Sequence, residues 1–276
     1  MKIFVLAIII VVLSGCASPR RVSLAYIDEP EMVLLAEVLA MHLENNGFEV
    51  QRVNRLSGME ELAEGMQTGG FDVSLVFAQD ALAGIFGEPD IYDTWFAQEV
   101  LRLSLQDMFG YVLLDSWAID GRYALGVEQG FTGAAVPGIG LLAGIAPSMV
   151  LYAAPGSAVW LDMLRDNFGI EFGQVVFGEG QGDAVARRNL FLIDYGFMVV
   201  DELNSGVQSL LHPIISEAAL ARHPELHSLI TALSSRLSID GLLEQHIING
   251  VSSYGAHITQ EDARRIAEEV FQGLQF

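Results

Sequence analysis

Four aromatic side chains stand where predicted strands or loops end, and their chemistry is that of a cation site. Phe77 ends a predicted strand, Trp117 and Tyr123 bracket a loop at 115–122, and Tyr195 ends a strand in the second half of the chain. A ring face attracts a desolvated ammonium group by about 0.5 to 2 kcal/mol. Four ring faces around one cleft would therefore suit a cation whose methyl groups prevent hydrogen bonding.

Other residues that could bind a metal, act as a nucleophile or bind phosphate give weaker sequence patterns. His223 and His227 stand one helical turn apart, but no third metal ligand accompanies them, so a solvated helix start is favoured. Ser157 lacks the second glycine of a nucleophile elbow, and capping of a helix accounts for it better. The glycines at 178, 180 and 182 lack the lysine of a phosphate-binding loop. We therefore predict no catalytic residue, no metal site and no cofactor.

Composition narrows the possible partners further. The chain has 276 residues, 35 acidic and 14 basic side chains, a net charge of −21, 51% hydrophobic residues and one cysteine. This composition excludes a disordered chain and a disulfide scaffold. No basic stripe is present that could release counterions from a phosphate backbone, so nucleic acid is excluded as a partner.

The first residues have the pattern of a targeting segment. Lys2 precedes an apolar run at 3–13, which is too short to span a bilayer but suits the core of a signal peptide. The segment Leu13-Ser-Gly-Cys16 resembles the lipobox of bacterial lipoproteins. We predict a signal peptide at 1–15, lipidation of Cys16 and a lipidated tether at 16–21. The protein is then expected on the extracytoplasmic face of the cell envelope, anchored in the membrane by lipid.

The body of the chain alternates strand-like and helix-like segments, which predicts an α/β fold with sheets rich in parallel strands and covered by helices. Because ligands collect beyond the carboxyl ends of such strands, 26–31 and 77–82 are the first places to search for a site. Predicted strands lie at 22–26, 48–53, 71–77, 111–114, 123–127, 149–153, 174–177 and 189–193. Predicted helices lie at 32–43, 59–66, 92–105, 157–168, 216–222, 224–236, 239–248 and 260–273.

Motifs along this pattern are similar to those of the solute-binding proteins of ABC importers for glycine betaine, carnitine and choline. The helix motif E-x-x-x-L-x-E-x-L-A is matched from Glu31 to Ala40, the strand motif G-x-x-D-V from Gly69 to Val73, and a crossing motif ending in Tyr-Ala-Leu from Tyr123 to Leu125. The resemblance implies a two-lobed type II periplasmic-binding-protein fold with a cleft between the lobes. Lobe 1 would comprise 22–120 and 205–276, and lobe 2 would comprise 121–204.

The resemblance also implies a ligand site. Phe77, Tyr123 and Tyr195 stand at positions of cage aromatics in the family, and the fourth cage position falls on Ser209. The basic residues that hold the ligand carboxylate in the family fall on Ile27 and near Ser157, neither of which is basic.

Two further substitutions bear on the ligand. Asp80 and Arg122 replace threonines of the family. Arg122 could take over the carboxylate, with Arg187 and His212 as weaker substitutes, whereas Asp80 in the cleft would favour a purely cationic ligand such as choline. The predicted ligand-binding residues are thus Phe77, Asp80, Trp117, Arg122, Tyr123 and Tyr195.

The functional hypothesis is a monomeric, lipid-anchored receptor that closes on a small quaternary-ammonium solute and delivers it to the permease subunits of an ABC importer. It would have no enzymatic activity. One alternative is a sensor or scaffold lipoprotein that keeps the fold but not transport. A second is an envelope enzyme that uses Asp80 or His212.

Overall fold

The computed structural model describes residues 20–53, 55–88, 93–128, 138–154, 157–178, 180, 182–188, 197–200, 208–240 and 258–273. Within these ranges the chain forms two five-stranded sheets with helices packed against them. No helix in the described ranges has both the length and the apolar character that crossing a bilayer requires.

The strands are short and most of their residues are buried. They are β1 (Arg20–Leu24), β2 (Phe48–Arg52), β3 (Val73–Phe77), β4 (Tyr111–Leu113), β5 (Tyr123–Glu128), β6 (Val150–Ala153), β7 (Gln174–Phe177), β8 (Ala184–Arg188), β9 (Phe197–Val199) and β10 (Leu211–Ser216). The first sheet has the order β2-β1-β3-β10-β4, and the second has the order β7-β6-β8-β5-β9.

Both sheets have the same pattern of strand directions. In the first sheet β10 runs against its two neighbours, and in the second sheet β5 does the same, while the other four strands of each sheet point one way. β5 and β10 are also the first strands that the chain forms after it crosses from one sheet to the other. This arrangement confirms the prediction of an α/β fold with two sheets rich in parallel strands.

The helices supply the layers on the sheets. They are α1 (Pro30–Asn45), α2 (Met59–Thr68), α3 (Ala78–Phe86), α4 (Thr94–Phe109), α5 (Ile139–Ile145), α6 (Ala158–Phe168), α7 (Glu217–Arg222), α8 (Glu225–Asp240) and α9 (Gln260–Gly273), with a 3₁₀ turn at Ala146–Ser148. The first sheet and the helices packed on it are called the first lobe below, and the second sheet with α5 and α6 is called the second lobe.

Helix α1 forms the centre of the first lobe. Pro30 begins it, where a missing backbone N–H costs nothing, and every residue from Glu31 to Leu43 is buried. The helix packs against β2, β3, α8 and α9. Each aliphatic side chain that it removes from water contributes about 1.5 to 3 kcal/mol. Because burial is complete, the acidic side chains of α1 must find partners inside the protein.

The two chain crossings between the sheets pair with each other. Leu211 N–H donates to the Ile119 carbonyl at 3.0 Å, and Gly121 N–H donates to the Ser209 carbonyl at 2.9 Å. Asp120 adds a side-chain contact, because its carboxylate accepts from the backbone N–H of Ser209 at 3.1 Å. The connection between the lobes is therefore a short two-stranded segment of antiparallel backbone.

Three strands of the structure, β8, β9 and β10, were not predicted from the sequence. No strand was predicted at β10, which contains Pro213, yet the Pro213 carbonyl accepts from Leu114 N–H at 2.9 Å, and β3 and β4 hold the strand on both sides. β8 was not predicted because its sequence ends in Arg187 and Arg188. It forms because β5 and β6 flank it. The predicted strand at 189–193 and most of the predicted helix at 239–248 lie outside the described residues.

Candidate functional site

The rings of Phe77 and Tyr123 flank one cation, and that cation belongs to the protein. The central guanidinium carbon of Arg188 lies 4.0 Å from the ring centroid of Phe77 and 4.6 Å from that of Tyr123. Both distances are well inside the range of about 6 Å over which a ring attracts a cation. Arg188 is 2% exposed, so little solvent screens this attraction.

Strand geometry brings these three side chains together. Tyr123 at the start of β5 stands directly opposite Arg188 at the end of β8, so both side chains leave the second sheet on the same face. Phe77 is the last residue of β3 in the first lobe. A Cβ on Gly121 would lie 2.2 Å from the Phe77 ring, so the ring approaches the chain crossing closely because position 121 has no side chain.

Three carboxylates from the first lobe surround the same guanidinium. Arg188 Nε donates to Glu31 Oε1 at 2.7 Å, and Nη2 donates to Glu29 Oε2 and to Asp80 Oδ2, each at 2.7 Å. Glu29 and Glu31 flank Pro30, the first residue of α1, in the sequence, and Asp80 lies in the first turn of α3. These elements follow β1 and β3, whose carboxyl ends share one edge of the first sheet because the strands are parallel.

Two neutral oxygens complete the shell around Arg188. Nη1 donates to the Gly121 carbonyl at 2.6 Å, and Nη2 lies 3.1 Å from the Tyr123 hydroxyl oxygen, which accepts. The Tyr123 hydroxyl in turn donates to Glu29 Oε1 at 3.2 Å. All three nitrogens of the guanidinium are thus engaged by protein acceptors.

The carboxylates of this cluster differ in their affinity for protons. Burial and the neighbouring Glu29 carboxylate raise the pKa of Glu31 to about 7, against the opposing effect of Arg188. Burial likewise raises the pKa of Asp80 to about 6. Burial also acts to raise the pKa of Glu29, but the charge and hydrogen bond of Arg188 outweigh it, so this pKa lies below its ordinary value. One guanidinium therefore faces three acids, two of which hold their protons unusually tightly.

The structure brings together three of the residues predicted for the ligand site. Phe77, Asp80 and Tyr123 all contact Arg188, and Asp80 and Glu29 fall in the two segments, 77–82 and 26–31, where strand ends predicted a site. Glu29, Glu31 and Arg188 were not predicted as site residues from the sequence. The available signal for Arg188 was its phase in β8, where it follows the buried Ala184 and Ala186 on one side of the strand.

The remaining predicted residues lie elsewhere or outside the described ranges. Trp117 is buried in the hydrophobic cluster of the first lobe. Arg122 forms an ion pair with Asp120 at the chain crossing, with 2.7 Å between Nε and Oδ2. Tyr195 and Cys16 lie outside the described residues.

Ile27 and Ser209 stand at positions where the resemblance implies ligand contacts, and in this structure both contact neighbouring residues of the protein. Ile27 is buried and bridges to Leu56, and the Ser209 hydroxyl accepts from Gln79 N–H at 3.2 Å. His212, one of the two residues named for the enzyme alternative, has Nδ1 2.9 Å from the Leu114 carbonyl oxygen, and burial lowers its pKa. In the described part of the chain no group of three or more His, Cys, Asp or Glu side chains is arranged to hold a metal ion.

Comparison of the amino-acid sequence with known proteins gives no match, either to a protein-family model or to a curated protein. Comparison of the structure with solved structures gives many matches, of which three are informative. A glycine betaine/carnitine/choline ABC transporter structure has a TM-score of 0.67 and 16% identity, covering 93% of this chain and 98% of the other. A choline-binding protein in complex with choline has a TM-score of 0.66 and 12% identity, with coverages of 95% and 92%.

The third is a glycine betaine/L-proline-binding protein of an ABC transporter from Borrelia burgdorferi, with a TM-score of 0.63, 12% identity and coverages of 92% and 93%. These likenesses extend over almost the full length of both chains. They show that the chain has the two-lobed fold of periplasmic solute-binding proteins. The resemblance that the sequence motifs predicted is thus confirmed at the level of the fold.

Proposed function

We propose that this protein is the extracytoplasmic solute-binding component of an ABC importer and that its solute is a small quaternary-ammonium cation. The observation that carries the proposal is the convergence of two aromatic faces and three carboxylates, from both lobes, on one cation position. Solved structures with the same fold include a choline-binding protein with choline bound. No chemical change of the solute is part of this function.

The charges at the site favour choline over glycine betaine. A betaine carboxylate would need a cationic or multiple-donor partner in the cleft. The guanidinium of Arg188 already donates to Glu29, Glu31 and Asp80, and a ligand carboxylate beside these acids would be repelled. A solute that carries only a positive charge meets no such cost.

Further parts of the hypothesis concern the membrane anchor, the oligomeric state and the contact with the permease. We propose that Cys16 carries the lipid anchor on the outer face of the membrane, that the protein is a monomer, and that the permease subunits bind the closed form. Closure would occur about the paired crossings, where Leu211 and Gly121 join the lobes by backbone hydrogen bonds. A Cys16→Ser variant should lose membrane association in cell fractionation, and continued membrane association would contradict the anchor.

Calorimetric titration of the full chain in detergent micelles tests the solute class. We expect choline to bind with a Kd between about 1 μM and 1 mM, and glycine betaine at least about tenfold more weakly. Tyr123→Ala should abolish choline binding, because it removes one of the two ring faces. Trp160→Ala is the matched control, since Trp160 packs beside Tyr123, with ring centroids 6.2 Å apart, whereas the ring faces against the cation are those of Phe77 and Tyr123. Tighter binding of glycine betaine than of choline would contradict the proposal.

The sensor or scaffold alternative has one observation in its favour, namely that Arg188 fills the cation position. It predicts that deletion of the gene leaves choline uptake by cells unchanged. Loss of choline uptake on deletion, restored by the wild-type gene, would favour the transport function.

A further inference from the structure

We infer that Arg188 is a tethered competitor of the solute: its guanidinium occupies the cation position and ties the two lobes together, so a solute cation binds only when this side chain leaves. The inference rests on the proposed function for the identity of the solute. It specifies which residue of the chain sets the affinity of the site.

The first argument is the position of the guanidinium between two rings. A central carbon 4.0 Å from the Phe77 centroid and 4.6 Å from the Tyr123 centroid takes up the ring faces that a methylated ammonium would need. Two cations cannot share these faces, because like charges at such a separation repel one another in a site that excludes water. Binding of solute and insertion of Arg188 are thus mutually exclusive.

The second argument is that every acid around Arg188 lies on the opposite lobe. Arg188 ends β8 of the second lobe, whereas Glu29, Glu31 and Asp80 follow strands of the first lobe. The Gly121 carbonyl at the chain crossing accepts a hydrogen bond from Nη1. Arg188 therefore makes the contacts between lobes that a bound solute makes in a closed receptor, and it stabilises closure without any solute.

The third argument is the imbalance of charge. One guanidinium faces three carboxyl groups with side-chain exposures of 4%, 8% and 14%. Removal of Arg188 would leave buried acids with no counter-ion, which is strongly unfavourable. A site in this state should take up a cation from solution, and the shape of the vacated space should favour a guanidinium.

Chemical rescue of Arg188→Ala in the full chain tests the inference. Arg188→Ala should lower Tm, and low-millimolar methylguanidinium should restore much of the loss, whereas the same salt should not raise the Tm of the wild type. Choline should bind Arg188→Ala at least about tenfold more tightly than it binds the wild type. In the wild type the Arg188 guanidinium occupies the cation position and lowers the apparent affinity for choline, and Arg188→Ala removes this competition.

Arg52→Ala is the matched control. Arg52 is also a largely buried arginine with carboxylate partners, Glu37 and Glu44, but both partners are on the first lobe with it. Its loss should lower Tm with no change in choline affinity. Should Arg188→Ala fail to fold, Arg188→Lys keeps the charge and supplies fewer donors. It is expected to fold and to bind choline with an affinity above that of the wild type.

The outcomes separate the two hypotheses. Weaker choline binding by folded Arg188→Ala or Arg188→Lys than by the wild type would overturn the competitor role, because Arg188 would then belong to the binding site itself. Unchanged choline affinity without methylguanidinium rescue would overturn it as well. Rescue by methylguanidinium together with no choline binding by any variant would support Arg188 as a tie between the lobes but overturn both its competition with choline and the proposed solute.

Discussion

Two arginines of this protein, the buried Arg188 and the partly buried Arg52, are held by carboxylates in different ways. Arg52 lies in β2 and donates to both oxygens of Glu37 at 2.6 and 2.8 Å and to Glu44 at 2.7 Å, all within the first lobe. Arg264 also reaches Glu44, at 3.2 Å, so two cations meet two acids. Arg188 instead meets three acids across the boundary between the lobes.

This difference separates a structural cluster from a candidate functional one. The balanced cluster around Arg52 joins three elements of the first lobe, β2, α1 and α9, and a folded first lobe keeps it intact. The cluster around Arg188 exists only while the lobes are closed. Burial, and after it the neighbouring Glu29 carboxylate, raise the pKa of Glu31 to about 7 and that of Asp80 to about 6. A buried excess of one charge is costly in a purely structural site, which points to a role that includes exchange of the cation.

The largest expected effect is on stability. Arg188→Ala should lower the free energy of unfolding by about 3 to 5 kcal/mol, because breaking a buried ion pair strands the partner charges. Arg52→Ala should cost less, since its side chain is 14% exposed against 2% for Arg188 and Arg264 still pairs with Glu44 after the change. Urea unfolding at pH 7 measures both, and an equal or larger loss in Arg52→Ala would contradict the comparison.

The second effect is a dependence of stability on pH. Because the folded protein holds protons on Glu31 and Asp80 that the unfolded chain releases near pH 4, these groups stabilise it fully below about pH 4, and their contribution is lost as pH rises through about 6 and 7. For Glu31 the loss is on the order of 3 kcal/mol.

Glu31→Gln should therefore flatten the curve of unfolding free energy against pH between 5 and 8, relative to the wild type. Urea unfolding at several pH values in this window measures it. Identical slopes in the two proteins would show that Glu31 does not hold a proton in the folded cluster.

The smallest effect concerns the packing that supports the rings. In Gly121→Ala the new methyl group would meet the Phe77 ring at 2.2 Å, so the ring must shift, at a cost of about 1 to 2 kcal/mol. Gly140→Ala is the control, because no atom lies within 4 Å of that position and alanine favours the helix. Thermal unfolding should show a lower Tm for the first variant only, and an unchanged Tm in Gly121→Ala would contradict the close approach.

The elements that depend on local periodicity could be predicted from the sequence. α1, β7 and α9 lie where hydrophobic spacing and strand propensity placed them, since the signal for each is contained within a few turns or residues. β8 and β10 could not be predicted in this way, because arginines and a proline obscure their sequence pattern and neighbouring strands on both sides hold them.

The sequence by itself determined the strand ends at which ligands collect, and it indicated Phe77, Tyr123 and the carboxylate of Asp80 as site residues. Only the tertiary structure decided which cation stands between them. Arg52 finds its acids 15 and 8 residues away, within reach of local patterns, whereas Arg188 meets Glu29 across 159 residues and Asp80 across 108. Contacts of that span depend on how two sheets face each other, and this orientation is set by the packing of whole lobes and leaves no periodic signal in the chain.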